Sequence, residues 1–193
     1  HTVTRRQRQM CIRDRSRYSG CWVGLKIVSD VADSGRTYDT SIENEEIIVP
    51  SGAFLGEYKD LPRNILFSDT PREQDFRLQR AKGFAAQEFV RANQIDKVIW
   101  KNNNAKLGII SAGKSYNDVL EAFRWLGIDE EKAKSMGIAL YKVGMPWPLE
   151  PQGIREFCRG LDTVLVVEEK RELIEHQVKS VSYTHLRAHE TRT

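Results

Sequence analysis

The chain has 193 residues and a formal net charge of +3, which is enough length for one well-packed domain or parts of two. The charge is uneven, because residues 1–15 carry +4 and residues 181–193 carry +1, which leaves −2 for residues 16–180. With no basic stripe interleaved with aromatics and no apolar run of membrane-spanning length, the sequence argues against nucleic-acid binding and a membrane span, and favours a cytoplasmic protein.

Cysteine and histidine are sparse and scattered. Cys11, Cys21 and Cys158 are widely spaced and odd in number, so neither a disulfide framework nor a C-x-x-C metal knuckle is expected. Three histidines lie in the terminal segments and His176 stands alone on a polar helix. A metal site is not expected, and Cys21 and Cys158 are predicted to be core thiols.

Both ends of the chain lack helical or strand periodicity. Residues 1–15 and 181–193 are predicted to be disordered, and both resemble read-through translation of sequencing-library adapters, so they are set aside from fold prediction as artefactual. Residues 16–180 are then expected to be an internal piece of a longer protein.

The first predicted elements are a helix, a short strand and a long connection. A buried helix is expected from Ser19 to Gly35, and a strand at Ile47–Val49. The helix has apolar residues in near-helical register at Val23, Ile27 and Val31. Pro50–Asp69 is rich in proline, glycine and polar residues, which predicts a long connection and a domain boundary.

Thr70-Pro71-Arg72-Glu73 predicts a helix start, with threonine as the N-cap and glutamate completing a capping box. The helix is expected to run toward Asn93, and Gly83 is expected to kink it or split it in two.

The stretch from Lys106 to Gly127 predicts a complete strand, turn and helix, following a short strand at Lys97–Trp100. The strand is Leu107–Ser111, the turn is Ala112-Gly113-Lys114, and Ser115 is expected to cap the helix that Gly127 ends.

The alternation of strands and helices then repeats to the end of the chain. The later predicted elements are a helix at Asp129–Met136, a strand at Ile138–Val143, a helix at Pro151–Arg159, a strand at Thr163–Val167 and a helix at Arg171–Lys179. This order predicts an α/β fold, with a parallel sheet and helices on both faces. Ligands would bind beyond the carboxyl ends of the strands, at Ala112–Lys114, Gly144–Pro148 and Glu168–Lys170.

Gly108–Ser115, GIISAGKS, matches the phosphate-loop pattern G-x-x-x-x-G-K-[ST], which would make the chain a small nucleotide-binding protein. The strand interpretation is favoured, because Ile109 and Ile110 would otherwise have to leave the sheet. Gly113, Lys114 and Ser115 are nevertheless kept as candidate cofactor-binding residues.

Two further segments have competing interpretations. Trp147 stands between two prolines, and either packs over the end of its own sheet or forms a subunit or interdomain contact. Glu168 and Glu169 are adjacent, so their side chains are expected on opposite faces, and a structural role is favoured over a catalytic pair.

Five stretches in order resemble one family, the thiamine-dependent 2-oxoacid:ferredoxin oxidoreductases, specifically the long fused indolepyruvate type. They are SRYSGCWVGLK at 16–26, SDTPREQDFRLQRAKGFAAQEFVRAN at 68–93, LGIISAGKSYNDV at 107–119, YKVGMPWPLEP at 141–151 and LVVEEKRELIEHQVK at 165–179. The resemblance implies that residues 16–50 end a domain that binds the pyrimidine of thiamine diphosphate. It implies a linker and connecting helix at 51–96, and a transketolase C-terminal-like α/β domain at 97–180.

The resemblance also implies the activity of the parent protein. Family members oxidatively decarboxylate an aryl or branched 2-oxoacid to an acyl-coenzyme A, using thiamine diphosphate and magnesium, and pass electrons through iron-sulfur clusters to ferredoxin. The present sequence has no G-D-G motif for the diphosphate and no C-x-x-C-x-x-C cluster motif.

We therefore expect a fragment that is inert alone and binds none of these cofactors. It would supply a structural or assembly domain to the remaining domains of the parent chain and form a homo-oligomer. A non-catalytic dimerisation domain stays open as an alternative. No residue is assigned a catalytic or metal-binding role, and Arg17 and Ser19, near the end of the thiamine-binding domain, are further cofactor-binding candidates.

Overall fold

A computed structural model describes residues 5–27, 29–33, 35 and 47–182, in two compact units. The first unit ends at Asn93 and the second begins at Gln94. The disorder predicted for residues 1–4 and 183–193 lies outside the described residues, whereas residues 181 and 182, also predicted to be disordered, are helical.

The described part of the first unit is helical. Its elements are α1 (Arg5–Ser19), α2 (Ser29–Ala32), a 3-10 segment (Ala53–Tyr58), α3 (Pro71–Arg77), a π-helical segment (Leu78–Lys82) and α4 (Gly83–Ala92). As predicted, Thr70 and Glu73 form a reciprocal capping box at the start of α3. The split in the long helix is a π-helical turn that ends where Gly83 begins α4, and Gly83 itself keeps ordinary helical angles.

Three local predictions for this unit differ from the structure. A helix covers residues 5–15, where disorder was expected, because arginine, glutamine and methionine have high intrinsic helix propensity. The predicted buried helix from Ser19 to Gly35 is wrong: Gly20, at φ 68°, ends α1, and residues 21–27 have no regular structure. The strand predicted at Ile47–Val49 is absent, because the Asn93 side chain bonds both the amide and the carbonyl of Ile48 in place of a partner strand.

The second unit is the predicted α/β domain. Its elements are β1 (Lys97–Trp100), β2 (Leu107–Ala112), α5 (Gly113–Trp125), α6 (Glu130–Ser135), β3 (Ile138–Val143), α7 (Pro151–Cys158), β4 (Thr163–Val167) and α8 (Leu173–Ser182).

The sheet order is β1-β3-β2-β4, and β2, β3 and β4 run parallel, which confirms the mostly parallel α/β fold. β1, for which no direction was predicted, pairs antiparallel with β3 at one edge. The connection from Trp100 to Leu107 is too short to return the chain along the sheet before β2 begins, so β1 and β2 run in opposite directions.

Helices cover both faces of the sheet, as predicted. On one face α7 and α8 pack on the strands, and the buried residues include Ile110, Tyr141, Val143, Ile154, Phe157, Ile174 and Val178. On the other face α5 and α6 pack on Ile109, Ile138 and Leu140 through Tyr116, Val119, Phe123 and Ala133. Within the described ranges, no helix combines the length and apolar character needed to cross a bilayer.

Candidate ligand site at the carboxyl edge of the sheet

The carboxyl ends of the three parallel strands lie along one edge of the sheet, and each is followed by a segment with distinctive polar contacts. β2 leads directly into α5, β3 leads into the loop Gly144–Pro148, and β4 leads into Glu168. This edge is the position at which parallel α/β sheets bind ligands.

The central strand shows that the phosphate-loop match does not form a phosphate loop. Residues Gly108–Ser111 pair with β3 on one side and with β4 on the other, so the backbone that would wrap a phosphate belongs to the sheet. A Cβ at Gly108 would lie 2.4 Å from Leu161 Cδ1 and 2.9 Å from Phe157 Cε1. The glycine therefore serves close packing, and the nucleotide-loop interpretation is wrong.

The helix after β2 begins earlier than predicted. Ser115 was expected to be the N-cap, but α5 starts at Gly113 and the N-cap is Ala112, whose side chain has no acceptor. Ser115 is instead a buried residue in the first turn of the helix. Gly113 links strand and helix at φ 54°, a left-handed backbone angle that glycine adopts without strain, as predicted for this turn. The amides that begin α5 consequently have no side-chain cap.

Lys114 lies along the outside of α5. Its Nζ is 2.9 Å from Asp118 Oδ1 and 2.8 Å from Asp118 Oδ2, one helical turn further on. This spacing gives an ordinary surface ion pair.

Polar groups that the sequence analysis did not select lie beneath the start of α5. Ser111 is fully buried, and its Oγ has no hydrogen-bond partner among the described residues. Lys142 is the register partner of Ser111 on β3, and its Nζ lies 4.6 Å from the centre of the Tyr116 ring. Burial raises the pKa of the Tyr116 phenol. The feature of the sequence that could have identified Ser111 and Lys142 is that each is a polar residue within an otherwise apolar strand.

The loop after β3 is anchored at both ends and exposes its tryptophan. Asp96 Oδ1 accepts hydrogen bonds from the amides of Gly144 (2.7 Å) and Met145 (3.1 Å). Gln177 accepts from the Leu149 amide (2.7 Å) and donates to the Pro146 carbonyl (2.8 Å). Trp147 nevertheless keeps 66% of its surface exposed, which favours the contact interpretation over packing on its own sheet.

Glu168, the first residue after β4, has a structural role. The Glu168 carboxylate accepts hydrogen bonds from the amides of Ile174 (2.8 Å) and Glu175 (3.0 Å), and so caps the start of α8. β4 ends at Val167, so Glu168 lies just beyond the strand. This confirms the predicted structural role for Glu168.

Comparison with known proteins places this unit in a family. The family model for the indolepyruvate oxidoreductase domain matches residues 97–191. Residues 97–191 belong to the indolepyruvate oxidoreductase domain family. The predicted family resemblance is confirmed.

Curated relatives of this indolepyruvate oxidoreductase domain include archaeal proteins. The indolepyruvate oxidoreductase subunit IorA of Pyrococcus horikoshii is 47% identical over 77 residues, which is 39% of this chain and 11% of the relative. IorA of Thermococcus kodakarensis is 40% identical over 80 residues, which is 42% of this chain and 11% of the relative. The match with these relatives thus spans about one ninth of their length.

A solved structure also aligns with the chain. It is 2-oxoglutarate:ferredoxin oxidoreductase from Magnetococcus marinus, with 2-oxoglutarate, coenzyme A and succinyl-CoA bound. The alignment has a TM-score of 0.44 and 15% identity, and covers 61% of this chain and 19% of that one.

The two remaining predicted site residues lie in the first unit, outside the indolepyruvate oxidoreductase domain. Ser19 is fully buried, and its Oγ donates to the Arg15 carbonyl (2.7 Å) and accepts from the Cys21 amide (3.2 Å). Its hydroxyl is therefore engaged in ending α1. Arg17 is exposed on α1.

The described residues do not match the ligand requirement of an iron-sulfur cluster. Such clusters are typically held by four cysteine thiolates, whereas the sequence has three cysteines. Cys21 and Cys158, both free thiols, lie in different units and are half-buried rather than fully buried core residues as predicted. Across the part of the chain that the structure describes, no three His, Cys, Asp or Glu side chains form a group suited to a metal ion.

Proposed function

We propose that the chain is an internal part of an indolepyruvate ferredoxin oxidoreductase, which oxidatively decarboxylates an aryl or branched 2-oxoacid to an acyl-coenzyme A and reduces ferredoxin. The observation that carries this proposal is the family match over residues 97–191. The 47% identity to the Pyrococcus horikoshii IorA subunit supports it. In this proposal the parent protein uses thiamine diphosphate, magnesium, iron-sulfur clusters and coenzyme A, and works in the cytoplasm.

Within that parent protein, the second unit acts as a structural domain of the transketolase C-terminal type. Its sheet is covered on both faces, and the loop that carries Trp147 is fixed by Asp96 and Gln177. A large aromatic side chain on a preorganised backbone is suited to a protein contact, because little conformational entropy is lost on binding. The proposed partners are the remaining domains of the parent chain and a second copy in a homo-oligomer.

The chain is proposed to be catalytically inert alone. Its 193 residues contain neither a G-D-G motif for the diphosphate nor the spaced cysteines of a cluster site. The groups that perform the reaction would then be supplied by other parts of the parent protein.

The test is an electron-transfer assay on the purified chain with indolepyruvate, coenzyme A and either ferredoxin or a viologen dye. We expect no reduction of the acceptor, while the full-length parent protein, as the positive control, reduces it under the same conditions. Reduction by the 193-residue chain would refute the proposal that it is inert.

A second experiment tests the assembly role separately. The parent protein lacking residues 97–180 should fail to reach its native oligomeric state in sedimentation velocity. A deletion variant that assembles normally would contradict the structural role, even if it were inactive.

A further inference from the structure

The N-terminus of α5 differs from those of α6 and α7 in the same unit, because no side chain caps it. Asp129 and Glu150 supply acceptors to the first-turn amides of α6 and α7. Ala112 supplies none to α5. Uncapped amides and the positive end of the helix dipole attract anions, but a helix end alone does not define a site.

An independent feature lies beside this helix end. Ser111 is fully buried and its hydroxyl is unpaired among the described residues. A buried polar group without a partner costs roughly 1–3 kcal/mol, so such a group in a native fold points to a missing partner. Strand alternation places Ser111 on the same face as Ile109, which packs in the α5 core, and α5 begins only two residues later, at Gly113.

The adjacent strand supplies a cationic side chain. Lys142 is paired in register with Ser111 on the adjacent strand, so the two side chains share a face. The Lys142 Nζ lies 4.6 Å from the ring centre of Tyr116, which belongs to the beginning of α5. Ser111, Lys142 and the start of α5 therefore lie at the same end of the sheet, where β2 and β3 finish.

We propose that Ser111, Lys142 and the first-turn amides of α5 bind a single phosphoryl oxyanion, as inorganic phosphate or as the phosphate group of a small monoester. A hydroxyl, an ammonium group and helix amides are donors suited to such an oxyanion. Gly113 leaves open space at the turn, since a Cβ built there meets no atom within 4 Å. A nucleoside triphosphate is not favoured, because the residues that would wrap its chain of phosphates belong to β2.

This inference goes beyond the proposed function and does not depend on it, because its test measures binding rather than turnover. The full 193-residue chain is titrated with sodium phosphate by isothermal titration calorimetry, with sodium chloride at the same ionic strength as the blank. Glycerol phosphate, acetate and magnesium-ATP are titrated in parallel. We expect saturable binding of one phosphate, comparable binding of glycerol phosphate, and weaker binding of acetate and magnesium-ATP.

Two variants test the residues. Ser111→Ala should weaken phosphate binding about tenfold, the effect of losing one hydrogen bond to a charged group. It should not impair folding, because it removes an unpaired buried hydroxyl. Lys142→Met should also weaken binding, by about tenfold. The matched control is Ser135→Ala, which removes an exposed hydroxyl on α6 that donates to the Lys132 carbonyl, and should leave binding unchanged.

Several outcomes would overturn the proposal. These are the absence of saturable phosphate binding, unchanged affinity in Ser111→Ala or in a folded Lys142→Met variant, and equal affinity for acetate. Tighter binding of magnesium-ATP than of phosphate would also overturn it, in favour of a nucleotide site.

Discussion

The Tyr18 hydroxyl donates a 2.7 Å hydrogen bond to Glu88 Oε2, which joins the end of α1 to α4 across 70 residues of chain. The other Glu88 carboxylate oxygen accepts a hydrogen bond from the Phe54 amide (3.3 Å). The Arg63 guanidinium lies 4.3 Å from the centre of the Tyr18 ring. Tyr18 and Glu88 thus connect segments of the first unit that are distant in sequence.

We expect Tyr18→Phe to destabilise the first unit by about 1 kcal/mol, because the variant loses the hydrogen bond to a carboxylate while keeping the ring packed on Phe89. Urea unfolding followed by circular dichroism measures the change. A double-mutant cycle with Glu88→Ala should show coupling between the two positions. Additive effects would mean that the hydrogen bond does not contribute to stability.

The stability of the second unit should fall in alkaline solution. Burial, followed by the nearby charge of Asp96, raises the pKa of Tyr141 above its ordinary value of about 10. Because the pKa is higher in the folded state than in the unfolded chain, the protonated phenol makes its full contribution to stability at pH values below about 10. This contribution is lost as the pH rises from there toward the folded-state pKa, because the phenol ionises more readily in the unfolded chain. Tyr141→Phe should therefore lose less stability than the parent sequence between pH 8 and pH 11.

Urea midpoints across that pH range measure this difference. The control is Tyr58→Phe, which removes a partly exposed phenol and should leave most of the alkaline loss in place. Equal alkaline losses in Tyr141→Phe and the parent sequence would show that Tyr141 is not the group responsible.

Gly108→Ala should destabilise the second unit by about 1–3 kcal/mol, because the added methyl overlaps Leu161 and the buried ring of Phe157. Thermal or urea unfolding measures the cost. Gly24→Ala is the control, since a Cβ at Gly24 meets no atom within 4 Å. Unchanged stability in Gly108→Ala would contradict the packing role of this glycine.

In the proposed homo-oligomer, Trp147→Ala should weaken self-association of the chain at least about tenfold, as expected for the loss of an aromatic anchor from an interface. The urea midpoint of a monomeric sample should stay nearly constant, because the side chain is largely exposed. Sedimentation equilibrium measures the association, and Trp125→Ala removes an exposed tryptophan elsewhere as a control. If both variants associate as the parent sequence does, Trp147 is not part of the interface.

The strands and helices of the second unit were predictable because they are short apolar runs and amphipathic repeats separated by clear turn signals. Leu107, Ile138 and Thr163 begin strands where the sequence predicted them. The direction of β1 was not predictable from its own residues, since KVIW fits either orientation and only the pairing with β3 decides it. Ser115 illustrates a similar limit, because a serine after a glycine turn is a common N-cap, yet here the N-cap is Ala112, three residues earlier.

The first unit was harder to predict for a physical reason. The near-helical register of Val23, Ile27 and Val31 suggested a helix, but Gly20 and Gly24 weaken helical structure, and Gly20 adopts a left-handed conformation that ends α1. In the candidate site, Ser111 and Lys142 stand out in the sequence only as separate polar positions within apolar strands, and strand register is what places them side by side. Such proximity depends on tertiary pairing and is not contained in local sequence.

The antiparallel direction of β1 has a practical consequence for defining the domain. Because β1 starts beside the end of β3, the residues just before it lie at the edge that carries the Trp147 loop. Asp96 is one of these residues, and it anchors Gly144 and Met145. The family match begins at Lys97. A protein that began at that boundary would keep every strand of the sheet but would lack Asp96, one of the two residues whose side chains hold the loop that carries Trp147.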